Sequence, residues 1–405
     1  MSLKEHLAGE PLFADPKEEE VFRRSLRKWI RADGGAVSSV RVVVFDGPAP
    51  VRAGEVLAAV WSRRPVLLAS AGWGRWTWDA FRRAIETGGL PPGTVLFRTG
   101  GSSGEPKFAL HDWETLETAA RSLRSRLGGR PLSSGLDLPL HHVGGWMPVI
   151  RAAVSGGRVA AADRSAPGAL PGLRVASVVP TTLYRILSDE DRTERLRAGA
   201  DLILAGGAAF PDDLLAAARS RGLPLSLVYG MTETAGLVAM QEPADFLSGE
   251  PPSVRPFGAN RIRIVGGNEI RIESPQLFRG YLGGPRRTGG GWRTGDAGRE
   301  AGGGRFVVEG RLGRFASTGG ETVSLGRIEE AARSLPEVGD AWAAAVPDPE
   351  WGSRILLFVA SRARRDWRRE LRARLDPPEI PAEIRTVPEI PRSGAGKVDP
   401  DRLFG

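Results

Sequence analysis

The chain has 405 residues, 41% of them apolar and 26% charged, which is ordinary for a globular protein and enough for two or three domains. With no cysteine it has no disulfide, thiolate nucleophile, thiolate metal site or iron–sulfur cluster, and four histidines without an H-x-x-x-H spacing argue against zinc. No apolar run reaches membrane-spanning length and the first residues lack the apolar core of a signal peptide, so a cytoplasmic location without a membrane span is expected.

Helical apolar spacing runs over residues 18–30, and residues 40–45 and 65–69 read as buried strands. Residues 94–98 form a strand that feeds T-G-G-S-S-G-E-P-K at 99–107. Glycines and hydroxyls in such a loop leave backbone N–H and O–H groups free to surround phosphate oxygens. Its closing lysine stands out because 51 of the 56 basic residues are arginine. The lysines are Lys4, Lys17, Lys28, Lys107 and Lys397, and the last two both close glycine-rich loops. A slim ammonium does at a crowded phosphate what a planar guanidinium does not. Pro106 before Lys107 and Phe108 after it disfavour a Walker loop, which needs Ser or Thr there for Mg²⁺.

Helical spacing follows at 114–127, then a strand at 175–179 and a helix at 181–187. A strand at 202–205 leads through Gly206, Gly207 and Ala208 to a helix from about Pro211, the proline in its first turn. Another strand spans 225–228. This alternation predicts an α/β domain with a largely parallel sheet, whose ligands gather at the strands' carboxyl ends. Thr99, Gly206 and Tyr229 are read as starting loops at such ends. From Asn260 the pattern alternates about G-G-N, as in a β-hairpin. Residues 283–304 read as loop interrupted by W-R-T-G-D, residues 305–309 as a short strand, and 310–313 as a boundary. Beyond it, strands at 341–346 and 355–360 and a basic helix near 362–375 predict a small α+β lid. Residues 313–405 carry 15 basic and 15 acidic residues, so the +8 surplus lies in the larger part and suits an anionic ligand. The arginines are dispersed and no groove-reading motif occurs, so nucleic acid is not expected.

Five motifs, in order, resemble those of the adenylate-forming superfamily of acyl-CoA synthetases, peptide-synthetase adenylation domains and luciferases. They are T-G-G-S-S-G-E-P-K (99–107), Y-G-M-T-E (229–233), W-R-T-G-D (292–296), G-R-L-G-R (310–314) and P-R-S-G-A-G-K (391–397). The likeness spans about residues 96–403 and implies a large N-terminal AMP-binding domain (1–312) of parallel-rich sheets with a β-rich subdomain. A small mobile C-terminal lid (313–405) would follow. It implies ATP, Mg²⁺ and coenzyme A. Ser102, Ser103, Gly104 and Lys107 would hold the β- and γ-phosphates, with Thr99, Gly100 and Gly101 in the same nucleotide-binding loop, Thr232 the α-phosphate and Glu233 the Mg²⁺. Tyr229, with Gly230, would stack on adenine, and Gly206, Gly207 and Ala208 would let backbone approach its other side. Asp296 would accept the ribose hydroxyls and Arg311 would add a ribose or phosphate contact. Lys397 would bridge the acyl carboxylate and the α-phosphate in the transition state. Thr318, Gly319 and Gly320 would line the thiol's tunnel once the lid has rotated. Taken singly, Tyr229 equally suits a core aromatic, Asp296 a turn cap, and Glu233 a helix cap.

Residues 138–159 (L-P-L-H-H-V-G-G-W-M-P-V-I-R-A-A-V-S-G-G-R-V) are similar to the acyl-pocket helix of o-succinylbenzoate–CoA ligases of menaquinone and phylloquinone biosynthesis. There Arg151 would pair with the substrate's second carboxylate, and His142 would form the pocket wall. The resemblance therefore implies an AMP-forming acid–thiol ligase making o-succinylbenzoyl-CoA. The alternatives are another aryl or acyl acid–CoA ligase, or a nucleotide-binding homologue without ligase activity. Partners would be the acid, ATP and CoA, with the protein a monomer or homodimer. Three departures stand against the family pattern: Gly313 replaces the hinge aspartate, Arg327 replaces a glutamate, and the region before the phosphate loop is short.

Overall fold

A computed structural model describes residues 11–32, 40–45, 49–86, 90–100, 106–160, 170–266, 268–312, 314–363, 365–391, 398 and 401–404. The first sheet holds β1 (Arg41–Val44), β2 (Val66–Ala69), β3 (Val95–Gly100) and β4 (Pro106–His111) in that order. β1, β2 and β3 run parallel and β4 returns antiparallel to β3. β2 is buried at all four residues, as its unbroken apolar run demands.

The second sheet contains β5 (Leu132–Gly135), β6 (Val159–Ala160), β7 (Leu173–Val178), β8 (Leu202–Ala205), β9 (Leu225–Met231), β10 (Gly236–Met240) and β11 (Arg255–Pro256). Its order is β11-β10-β9-β8-β7-β5-β6. The strands from β6 to β9 are parallel, and β10 and β11 close it antiparallel. Helices Trp113–Arg126 and Val143–Ser155 pack together beside it. The first is capped by Asp112, whose carboxylate accepts from the Thr115 N–H. The second ends on Gly156 at φ 77°, a left-handed stop.

A third, wholly antiparallel sheet runs β12 (Arg261–Val265), β13 (Glu269–Glu273), β14 (Trp292–Glu300), β15 (Phe306–Arg311). The expected hairpin is β12–β13. The expected loop over 283–304 is corrected at 292–300, which is a nine-residue strand between β13 and β15. Its own residues have low β propensity, and pairing on both sides overrides that.

The C-terminal part holds the hairpin β16 (Phe315–Thr318) and β17 (Glu321–Ser324). It also holds the sheet β18 (Asp340–Asp348), β19 (Gly352–Ala360) and β20 (Glu383–Val387). Its helix Leu325–Arg333 packs into an apolar cluster drawn only from residues after 315. The basic helix expected near 362–375 is only Trp367–Arg372, because Asp366 caps its start. Pro211 likewise caps the helix Asp212–Ser220 rather than lying in its first turn.

Candidate active site

β3 and β4 pair antiparallel with Thr99 opposite Lys107 and Gly100 opposite Pro106, so the described ends of 99–107 lie side by side. Between them Gly101, Ser102, Ser103 and Gly104 lie outside the described residues, as do Gly313 and Lys397. Lys107 is at one of these ends, its Nζ 5.3 Å from the centre of the Tyr281 ring. The Tyr281 hydroxyl donates to Glu233 Oε1 at 2.6 Å. Tyr281 thus joins Lys107 of the first motif to Glu233 of the next. Sequence reading missed it, although a chain with three tyrosines offers the same scarcity signal as its lysines.

Glu233 is buried in the single turn Thr232–Thr234 between β9 and β10. That turn is tightly held. Thr234 Oγ1 accepts from the Met231 N–H at 2.9 Å. Ala235 closes the turn at φ 51°. A Cβ on Gly230 would stand 2.0 Å from the Gly236 carbonyl oxygen, so only glycine fits there. His111 Nε2 lies 2.8 Å from the Thr232 carbonyl, which only accepts, so this nitrogen carries the proton. Burial lowers the His111 pKa to about 4, and its hydrogen bond to Thr232 only partly opposes that. His111 is therefore a neutral brace behind Thr232.

Tyr229 lies within β9 rather than at the start of a loop, because β9 continues to Met231. Its hydroxyl donates to Asp296 Oδ2 at 2.8 Å, and its ring joins the apolar cluster with Val238 and Ile270. Asp296, on β14, pairs in register with Arg311 on β15. Three separate motifs thus meet at one edge. Gly206 ends β8 against β9, where a Cβ would lie 2.5 Å from Val228 Cγ2. Gly207 follows at φ 85°, then Ala208.

The helix Val143–Ser155 buries Arg151 to 4% exposure. Among the described residues no carboxylate pairs with it, and its Nε has no hydrogen-bond partner. Burial pulls its pKa down to about 10, still charged at neutral pH. One guanidinium nitrogen lies 3.8 Å from where a Cβ on Gly236 would stand, so it faces the β9–β10 turn that carries Glu233.

At the same helix's start, His142 Nε2 pairs with Glu321 Oε1 at 2.8 Å. Burial pushes the Glu321 carboxyl up, but His142 and Arg98 outweigh it and hold the pKa near 2. His141, its ring 4.2 Å from that of His142, is lowered to about 3 by burial first and then by His142 beside it. Glu321 begins β17, directly after the turn of Gly319 (φ 62°) and Gly320 (φ 86°). Added Cβ atoms there would meet the Trp351 ring at 3.0 Å and Val179 at 3.3 Å. The turn therefore abuts the loops after β7 and β8.

Arg327 is buried, donating to Glu379 Oε1 at 2.8 Å and to the Arg374 carbonyl at 2.9 Å. The unusual arginine is thus satisfied within the C-terminal part. Among the described residues no three His, Asp or Glu side chains cluster as a metal cage.

Residues 93–282 match the family described as AMP-binding enzyme, and residues 327–397 match AMP-binding enzyme C-terminal domain. A probable 2-succinylbenzoate–CoA ligase of Mycobacterium tuberculosis is 31% identical over 75% of this chain and 82% of its own. A double mutant of o-succinylbenzoate CoA synthetase from Bacillus subtilis, bound to the product analogue OSB-NCoA, superposes with a TM-score of 0.81. Sequence identity is 17%, and the match covers 99% of this chain and 97% of that one. The Bacillus subtilis enzyme with the acyl-adenylate OSB-AMP gives 0.62 at 17% identity, covering 100% and 97%.

Proposed function

The chain belongs to the AMP-binding enzyme family, and on that footing we propose that it is an ATP-dependent acid–CoA ligase for a dianionic aromatic acid, o-succinylbenzoate. The observation that carries the substrate class is Arg151. A buried guanidinium without a carboxylate partner is costly, and a second substrate carboxylate removes that cost.

Both reactants of the first step are anionic, so the site must neutralise charge and hold the acid in line with the α-phosphate. Lys107 and the loop from Thr99 through Gly100 to Gly104 would hold the outer phosphates, and Thr232, braced by His111, would bind the inner one. Glu233 fits a divalent cation: it is a hard oxygen donor beside the phosphate loop, with one oxygen fixed by Tyr281. Mg²⁺ held there would offset phosphate charge. Asp296 and Arg311 would take the ribose, while Tyr229 orients Asp296. Lys397, from the C-terminal motif, would stabilise charge at the bond being made.

In the second step the CoA thiol attacks the acyl carbon and AMP leaves. Gly319 and Gly320, against Val179, support reading this lid orientation as the thiol-accepting one. The greater similarity to the CoA-analogue complex supports it too. We place the pivot between residues 312 and 313.

The test is a pyrophosphate-release assay over a panel of acids, with thioester detection by mass. Release dependent on o-succinylbenzoate, followed by its CoA thioester, is the expected result. Turnover of monocarboxylates alone would remove the diacid assignment. Nucleotide binding without turnover of any acid would overturn the ligase reading.

A further inference from the structure

Asp376 belongs to the C-terminal part, yet its carboxylate is held by the N-terminal part. It is 1% exposed. Oδ1 accepts the Gly74 N–H at 2.9 Å, at the start of helix Arg75–Glu86. Oδ2 accepts from the Thr77 hydroxyl and, at 2.6 Å, from the Arg98 guanidinium. The carboxylate thus sits where a helix's own first-turn anion would sit, but comes from some 300 residues away. From behind, its own N–H donates to Glu379 Oε2 at 2.9 Å, and Glu379 is fixed by Arg327. Pro377 packs near Gly72.

A carboxylate this deeply buried is costly unless all its partners are in place. Only the orientation that lines up Gly74, Thr77 and Arg98 supplies them. The rim pair Arg185–Glu350 has side chains 54% and 35% exposed and provides little of that discrimination. Arg98 directly precedes Thr99, so the same guanidinium joins the lid to the root of the phosphate loop. It also helps hold Glu321 ionised.

We propose that Asp376 is a positioning residue, latching the lid through Gly74, Thr77 and Arg98 in the orientation that brings Gly319 and Gly320 against Val179. Assigning that orientation to the thiol step rests on the proposed function; the latch itself does not.

The absence of cysteine makes the test clean, because spin labels can be placed at Arg195→Cys and Arg372→Cys in the otherwise unchanged full chain. The expected result is one dominant interlabel distance in the parent protein. Asp376→Asn should move most molecules out of it, and Thr77→Val should move fewer in the same direction. Thioester formation from preformed acyl-adenylate should fall about tenfold in Asp376→Asn while acid-dependent pyrophosphate exchange stays within about twofold. An unchanged distance distribution in both variants, or equal losses in the two half-reactions, would overturn the latch. If the parent protein exchanges pyrophosphate with no acid, the ligase reading falls and the distances alone decide the latch.

Discussion

Arg151 and Arg98 are both guanidiniums withdrawn from water, and they differ in what they meet. Arg98 has a carboxylate at 2.6 Å; among the described residues Arg151 has none. Replacing Arg151 with methionine removes a buried charge and keeps volume, so Tm should hold or rise while KM for the diacid rises about 100-fold with little change for ATP. Thermal melts and steady-state kinetics check both halves; equal rises in the two KM values would refute the clamp. The histidines set a pH limit. His111 and His141 have pKa values of about 4 and about 3, below the usual 6.5, so the unfolded chain binds more protons between those values. Stability is therefore full above pH 6.5 and falls as pH drops towards 4, by up to about 1.4 kcal/mol per pH unit for each histidine. His111→Gln should flatten that fall in urea titrations at pH 4.5 to 7. At this scale the sequence offered the motif residues as candidates, because phosphate and ribose chemistry restricts residue types. Tyr281, Arg98, Asp376 and the His111 brace were not, since their roles come from partners distant in sequence.

The helix Val143–Ser155 shows what an element adds. Two glycines stand side by side in it with opposite surroundings. A Cβ on Gly145 would lie 2.2 Å from the Pro139 carbonyl oxygen, whereas one on Gly144 would meet Leu138 Cδ1 at 3.6 Å. Gly145→Ala should destabilise the protein by about 2 kcal/mol through overpacking. Gly144→Ala should be neutral or stabilise by up to about 1 kcal/mol by restricting the unfolded chain. Chemical denaturation of the pair distinguishes them, and similar values would mean that helix and preceding loop are not packed as described. Most parallel strands were legible as apolar runs with turn residues after them. β4 was not, because it follows the glycine loop at once and was absorbed into it. β14 was not, because glycine, aspartate and arginine hide a strand fixed by its neighbours.

In the whole molecule, among the described residues, the C-terminal apolar clusters share no residue with those of the N-terminal part. The contacts between the two include the Gly319–Gly320 turn, the hydrogen bonds to Asp376 and charged pairs such as Arg98–Asp376 and Arg185–Glu350. These pairs should be unequal. Arg185→Ala breaks an exposed pair with Glu350 and a stack on Trp351, and should alter lid orientation by no more than about 1 kcal/mol. Measured by the same interlabel distances, a shift as large as that from Asp376→Asn would mean that the rim, not the buried carboxylate, sets orientation. The two-part organisation was legible from the switch in pattern near residue 310. The lid's orientation was not, because no local pattern encodes which turn faces which loop.

The turn joining β9 to β10 carries Glu233 on one side and, at Gly236, faces Arg151 on the other. Under the proposed function, choice of acid and handling of nucleotide are written on separate pieces of chain that adjoin at Gly236. For anyone retargeting the enzyme, that is a seam. On that reading, libraries confined to Arg151 and to Met147, whose Cγ would lie 3.6 Å from a Cβ on Gly236, should explore new acids while leaving the nucleotide side untouched, whereas any library that includes Gly236 should trade one property against the other.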